Sequence, residues 1–264
     1  MSEAQTQFLR LAKKQKRKII FLRILVFVVF IALWETAARF GQIDPFIFSS
    51  PSRIILCLGE MIKNHLIFYH LGITLGETFL SFFLVIAIGT LMAILLWWNE
   101  TIARVLEPYL VILNSLPKTA LAPVFIVWLG NNMKTIIVAA VSVAVFSTTI
   151  TLYNTFLEMD PEKIKLIQTL GGRKKDVLWK LILPGNIPAI ISAMKVDIGL
   201  TLVGVIIGEF VAAKAGLGYL IIYGSQVFKL DYVLLSIVIL CLISTGLYLL
   251  ISCLEKYCEK HYSV

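Results

Sequence analysis

The stretch DPEKIKLIQTLGGRKKDVLWKLILPG, Asp160 to Gly185, gathers Lys163, Lys165, Arg173, Lys174, Lys175 and Lys180 around the pair Gly171–Gly172. Cations gathered round a glycine pair suit binding and docking. Elsewhere the usual signatures of chemistry are missing. There is no Ser-His-Asp, paired-carboxylate or zinc spacing, and His65 and His70 stand five apart with no third ligand nearby. The cysteines Cys57, Cys241, Cys253 and Cys258 form no CxxC. No G-x4-G-K-[ST] phosphate loop occurs, so any ATP must bind elsewhere. Catalysis by this chain, and a metal site in it, are not expected. A second group of polar residues lies inside apolar surroundings. Asn114, Ser115 and Lys118 sit among the prolines Pro108, Pro117 and Pro123, and Glu209 sits near the end of an apolar run. Ionisable groups at membrane depth are costly and tend to be functional. Lys118 could offer donors to an anionic solute, or simply fill a helix break.

These residues need a membrane scaffold. Of 264 residues 59% are hydrophobic and 15% charged, with a mean hydropathy of +0.89; soluble domains run at about 25% charged. The net charge of +8 does not indicate nucleic acid, because the cations cluster. Six (Arg10, Lys13, Lys14, Lys16, Arg17, Lys18) precede the first apolar run and six lie in the quoted stretch.

Crossing the bilayer takes about 20 apolar residues, and six stretches qualify: 19–40, 73–98, 107–130, 134–157, 187–210 and 231–254. The first also resembles a signal peptide, but its length and the spans that follow favour an uncleaved span. The third, with its three prolines, is expected to be bent or unwound. Counting Lys and Arg in the flanks gives fifteen on the side of both termini and five on the other, which puts both termini in the cytoplasm. The expected division is a basic cytoplasmic tail (1–18), a six-helix domain (19–254) and a cytoplasmic C-terminal tail (255–264). Residues 41–72 then face outward, with RIILCLGEMIKNHLIFYHL as an amphipathic surface helix.

Asp160–Pro161–Glu162 is a strong helix start, and Gly171–Gly172 a helix stop. A second helix, RKKDVLWKLIL, places Val177, Leu178, Leu181 and Ile182 on one face; Pro184 and Pro188 end it. This two-helix elbow reads either as a lipid-binding hairpin or as a docking element for a soluble partner. Within the spans, Gly72-x3-Gly76 and Gly204-x3-Gly208 permit close helix approach, inside one subunit or between two. Arg23 and Lys195 are expected to snorkel, Glu35 and Arg39 to form an i,i+4 pair, and Asp197 to find a neighbour.

Gly171, nine residues, then Leu181-Ile182-Leu183-Pro184 resembles the cytoplasmic "EAA" loop of binding-protein-dependent ABC importer permeases, with its G-x9-I-x-LP ending. LPKTALAPVFIVWLG, LGGRKKDVLWKLILPGNIPAIISAMK and VGVIIGEFVAAKAGLGYLI resemble, in order, the nitrate/sulfonate/taurine-type subfamily over residues 30–255. Two departures stand out: Lys165-Leu166-Ile167 replaces Glu-Ala-Ala, and Leu181 takes the isoleucine position. The resemblance implies an all-α, six-span, type I importer permease whose coupling loop (158–186) seats in a separate ATPase. It assigns coupling to Lys165, Gly171, Gly172, Arg173, Asp176, Leu181 and Pro184, and an outward gate to the segment after Glu209. It further implies two ABC ATPase subunits carrying ATP and Mg, a second permease copy or paralogue, an extracytoplasmic binding protein, and residence in a prokaryotic cytoplasmic membrane. The solute would be small: a sulfonate, nitrate, taurine or a vitamin-precursor pyrimidine. The rival reading is an ion-driven carrier or channel, disfavoured by the lack of an inverted repeat; a membrane scaffold is a weaker third.

Overall fold

The computed structural model describes residues 3–262, with side chains from 13 to 258. Arg10, Lys260 and residues 263–264 of the expected tails lie outside those limits. Every regular element among the described residues is helical. They are α1 (Glu3–Arg39), α2 (Pro45–Phe48), α3 (Pro51–Lys63), α4 (Leu66–Trp98), α5 (Glu100–Ser115), α6 (Lys118–Leu129), α7 (Met133–Leu157), α8 (Pro161–Thr169), α9 (Lys174–Val177), α10 (Leu183–Gly185), α11 (Ile187–Ala212), α12 (Leu217–Gln226) and α13 (Leu230–Tyr262). Between α9 and α10 the helix continues through a π-helical turn, Leu178–Ile182.

Five helices (α1, α4, α7, α11, α13) are long and apolar enough to cross a membrane, and the bent pair α5–α6, counted as one span, brings the number to six. That pair turns through 95° at Leu116–Pro117. The expected break in the third span therefore falls at one of its three prolines. Pro108 and Pro123 lie inside α5 and α6. Helix α1 runs through residue 18 unbroken, and α13 likewise runs through residue 254.

Helices α4, α7 and α11 form the centre. Small residues bring them together: a Cβ on Gly204 would lie 2.6 Å from the Cα of Ala140, and one on Gly208 2.8 Å from the Cα of Ile136. Both glycines thus serve the α7–α11 contact inside this chain, the first of the two alternatives the spacing left open. Gly72 and Gly76 face open space. Helix α13 packs on α11 and α12, while α1 meets α2 and α3 and its apolar face is exposed.

The segment after α1 departs from expectation. The amphipathic helix ends at Lys63, where Asn64 and left-handed His65 (φ 54°) turn the chain, and residues from Leu66 onward already belong to α4. Nor does α3 lie free on a surface, since Ile54, Cys57 and Met61 pack with Leu217, Leu220 and Leu235 of α12 and α13. Glu35 and Arg39 pair at 2.7 Å as the spacing predicts. Glu35 also accepts from the Ser52 amide and hydroxyl, which ties α1 to α3. Lys195 finds a partner, its ammonium reaching Glu255 on α13 at 2.5 Å.

Candidate functional site

The elbow begins with Asp160, whose carboxylate accepts from the Glu162 amide at 2.8 Å and caps α8. At the other end of α8 the Gly171 amide donates to the Gln168 carbonyl (3.0 Å) and the Gly172 amide to the Ile167 carbonyl (2.9 Å). This is the Schellman pattern. The two glycines have different reasons to be there. Gly171 adopts φ 83° in open space, so its demand is conformational. A Cβ on Gly172 would collide with Ile167, so its demand is steric.

Asp176 holds the start of the second helix by accepting from the Arg173 amide at 3.0 Å, and pairs with Lys180 at 2.9 Å. Lys180 and then the Arg173 amide hold its carboxyl below the usual carboxylate range. The cap is therefore intact at neutral pH and is lost only as acid takes the pH down through that lowered value.

The elbow's base is built into the bundle. Val177, Leu178 and Ile182 are buried with Leu152 and Phe156 of α7 and Ala93 of α4, and Ile164, Ile167 and Leu181 pack against them. The helix expected to stop at Pro184 runs on to Gly185, and Asn186 (φ −103°, ψ 8°) makes the joint with α11. The tip projects instead: Leu166 is 60% exposed, Leu170 79% and Trp179 63%. Lys165 and Arg173 are also exposed. The elbow is fixed to α4 by Lys174, whose ammonium lies over the rings of Trp97 (5.3 Å) and Trp98 (5.9 Å). A cleft of about 360 Å³, lined by Trp97, Glu100, Tyr153, Ile164 and Gln168, lies beside this clasp, which the ring contacts make favourable.

The polar residues expected at the third span's break come together. Ser115 donates to the Val111 carbonyl at 2.9 Å, and the Lys118 ammonium donates to the Asn114 carbonyl. Lys118 thus satisfies a backbone group freed by the bend.

Glu209 belongs elsewhere. It is 1% exposed, accepts from Thr74 Oγ1 at 2.7 Å and from the Gly218 amide at 2.5 Å, and has the carboxyl of Glu77 as its neighbour. A carboxyl pair does exist in space, although sequence spacing shows none. Around it, the Gly216 amide donates to His70 Nδ1 (2.9 Å) and the Leu217 amide to Thr74 Oγ1 (2.8 Å). Three successive amides opening α12 are therefore capped by side chains of α4 and α11. Gly216 (φ 119°) and Gly218 leave room for the Glu209 carboxyl where a Cβ would strike it.

Sequence reasoning missed His70, Thr74 and Glu77 as a set. Their signal was a polar stripe at i, i+4 and i+7 on an otherwise apolar helix, hidden because α4 was taken to begin at 73.

Residues 85–264 match the family described as "Binding-protein-dependent transport system inner membrane component". The chain is 30% identical over 196 residues to the formylaminopyrimidine transport permease protein ThiX of Halalkalibacterium halodurans, covering 74% of this chain and 77% of that one. It is 26% identical to the putative aliphatic sulfonates transport permease protein SsuC of Bacillus subtilis (82% and 78% covered). To the taurine transport system permease protein TauC of Escherichia coli it is 23% identical (86% and 85% covered). Among solved structures it resembles a chain of the inward-facing MetNI methionine ABC transporter, with a TM-score of 0.61 at 20% identity over 70% of this chain and 92% of that one. By that family match and that identity, this protein belongs to the binding-protein-dependent transport system inner membrane components, as a multi-pass permease subunit of an ABC importer.

Proposed function

We propose that the elbow of α8 and α9 is the coupling element of this permease, seated in an ATPase subunit on the cytoplasmic side, with both termini on that side. One observation carries the reading: α8 packs its Ile164–Ile167 face into the bundle while Leu166 and Leu170, at the glycine turn, are left exposed. An exposed leucine tip on a rigid, doubly capped base fits a groove in a protein partner better than a hydrated lipid headgroup layer. ATP and Mg²⁺ then act on the ATPase subunits, and the elbow passes their closure to α4, α7 and α11.

A second permease, copy or paralogue, completes the pathway. The support is α5–α6: of its residues only Ala103, Leu110 and Ala122 are buried. Backbone broken at membrane depth is tolerated where protein covers it or where it lines a water-filled path. The solute is a small polar organic molecule of the class named for the relatives, a pyrimidine or a sulfonate, delivered by a binding protein that sets specificity. The test is to purify the tagged chain gently from its membrane, identify companions by mass spectrometry, and compare wild type with Gly171→Val. Recovery of a phosphate-loop subunit whose solute-stimulated ATPase falls with Gly171→Val is the expected result. A chain recovered alone that moves solute on an ion gradient without ATP overturns it.

A further inference from the structure

Four buried side-chain oxygens among the described residues have no protein hydrogen-bond partner: Glu77 Oε2, Ser81 Oγ, Asp197 Oδ2 and Thr201 Oγ1. Unpartnered buried polar atoms are rare in folded proteins. These four are not scattered: two lie one turn apart on α4 and two lie one turn apart on α11. None of the four residues is more than 4% exposed.

The register aligns them. At one end Glu77 of α4 meets Glu209 of α11. At the other, Gly89 of α4 abuts Thr148 of α7, a Cβ there lying 2.8 Å from its Cγ2. The Thr148 hydroxyl donates to Asp197 Oδ1 at 2.9 Å. The two helices are antiparallel, with Glu77 level with Glu209 and Gly89 level with Asp197. At about 1.5 Å of rise per residue, Asp197, Thr201, Ser81 and Glu77 then follow one another in steps of about 6 Å. Such a step is about two hydrogen-bond lengths, the span bridged by one water molecule.

The chemistry is all oxygen. Helix α4 contains no Lys or Arg, and the nearest base on α11, Lys195, is engaged by Glu255. We infer that the α4–α7–α11 interface encloses a file of water molecules running from Asp197 past Thr201 and Ser81 to the Glu77–Glu209 pair. Polar and buried, with donors and acceptors at water-bridging intervals, the column offers each water the partners it needs. The inference does not depend on how the permease is energised.

Two isosteric changes test it in the transporter purified with its partner subunits in lipid nanodiscs. If the hydroxyls are dry, Thr201→Val and Ser81→Ala remove an unpartnered group and raise the Tm. If water satisfies them, each change breaks the file, and the Tm is expected to fall by about 2–4 °C. A rise or no change overturns the proposal. Should the variants not assemble, hydroxyl-radical footprinting by X-ray irradiation of the unmodified protein decides. Oxidation of Val85 and Val205, both 0% exposed, is expected from adjacent water; unmodified valines overturn it. Replacing sodium by potassium or choline should leave the Tm unchanged. An ion-specific shift that disappears in Asp197→Asn overturns water in favour of a bound cation.

Discussion

The ammonium of Lys174 donates to the carbonyl oxygen of Trp98 at 2.6 Å. One end of this bond lies on the elbow and the other on the last residue of α4, immediately before Asn99 caps α5 with its side chain. A push on the elbow thus arrives at the start of the broken span. Replacing Lys174 by Met keeps most of the stem and removes the charge. Transport is expected to fall several-fold while basal ATP hydrolysis by the assembled complex stays, with Lys174→Arg retaining much of the transport. Vesicle uptake measured beside ATPase rate checks it; equal loss of both activities would point to misfolding instead.

Gly171 and Gly172 should respond differently to alanine. A side chain in the left-handed region costs about 1–2 kcal/mol, which Gly171→Ala meets without any clash. Gly172→Ala drives a methyl into Ile167 and has to shift α8. Cross-linking of the elbow to the ATPase through an introduced cysteine at 170 should survive the first change and weaken in the second.

Bulk at the α7–α11 contact should be destructive, and bulk at the open glycines should not. Gly204→Leu and Gly208→Leu force apart backbones in contact, where overpacking typically costs about 1–3 kcal/mol and sometimes more. Gly72→Leu meets nothing within this chain. Thermal unfolding in detergent should show a marked loss for the first two. The third should match wild type in the isolated chain.

Cys57 should be a silent thiol at neutral pH. Burial, then Asp231 and Glu60, push it up to about 11. Since the thiolate is the reactive form, alkylation by iodoacetamide should climb about tenfold per pH unit as that value is approached. Peptide-resolved mass spectrometry separates it from Cys241, Cys253 and Cys258. Ready modification of Cys57 at pH 7 would refute the burial argument.

Long apolar runs, the proline-marked bend and the capped elbow were legible because each is a local signal. Asp160 and Gly171 act within four residues of themselves, and hydropathy needs only a window. What the chain did not disclose joins distant positions. Nothing near Glu209 in sequence announces Thr74 or Glu77, and nothing near Lys174 announces Trp97 and Trp98. The choice between an intrachain and an interchain role for Gly204 and Gly208 likewise awaited the position of Ala140 and Ile136. The start of α4 is obscured for a related reason: nothing near His70 in sequence announces its amide partner, Gly216.

Helix α12 has ten residues, too few to be stable by itself in water or to cross a bilayer. Its opening amides are met only by His70, Thr74 and Glu209. During biogenesis this segment therefore has no finished shape when it leaves the ribosome. It becomes a helix only after α4, made some 140 residues earlier, and α11 have already found each other. A subunit whose central triad has failed to assemble would display an unfinished segment there, open to the proteases that clear the membrane of misassembled chains.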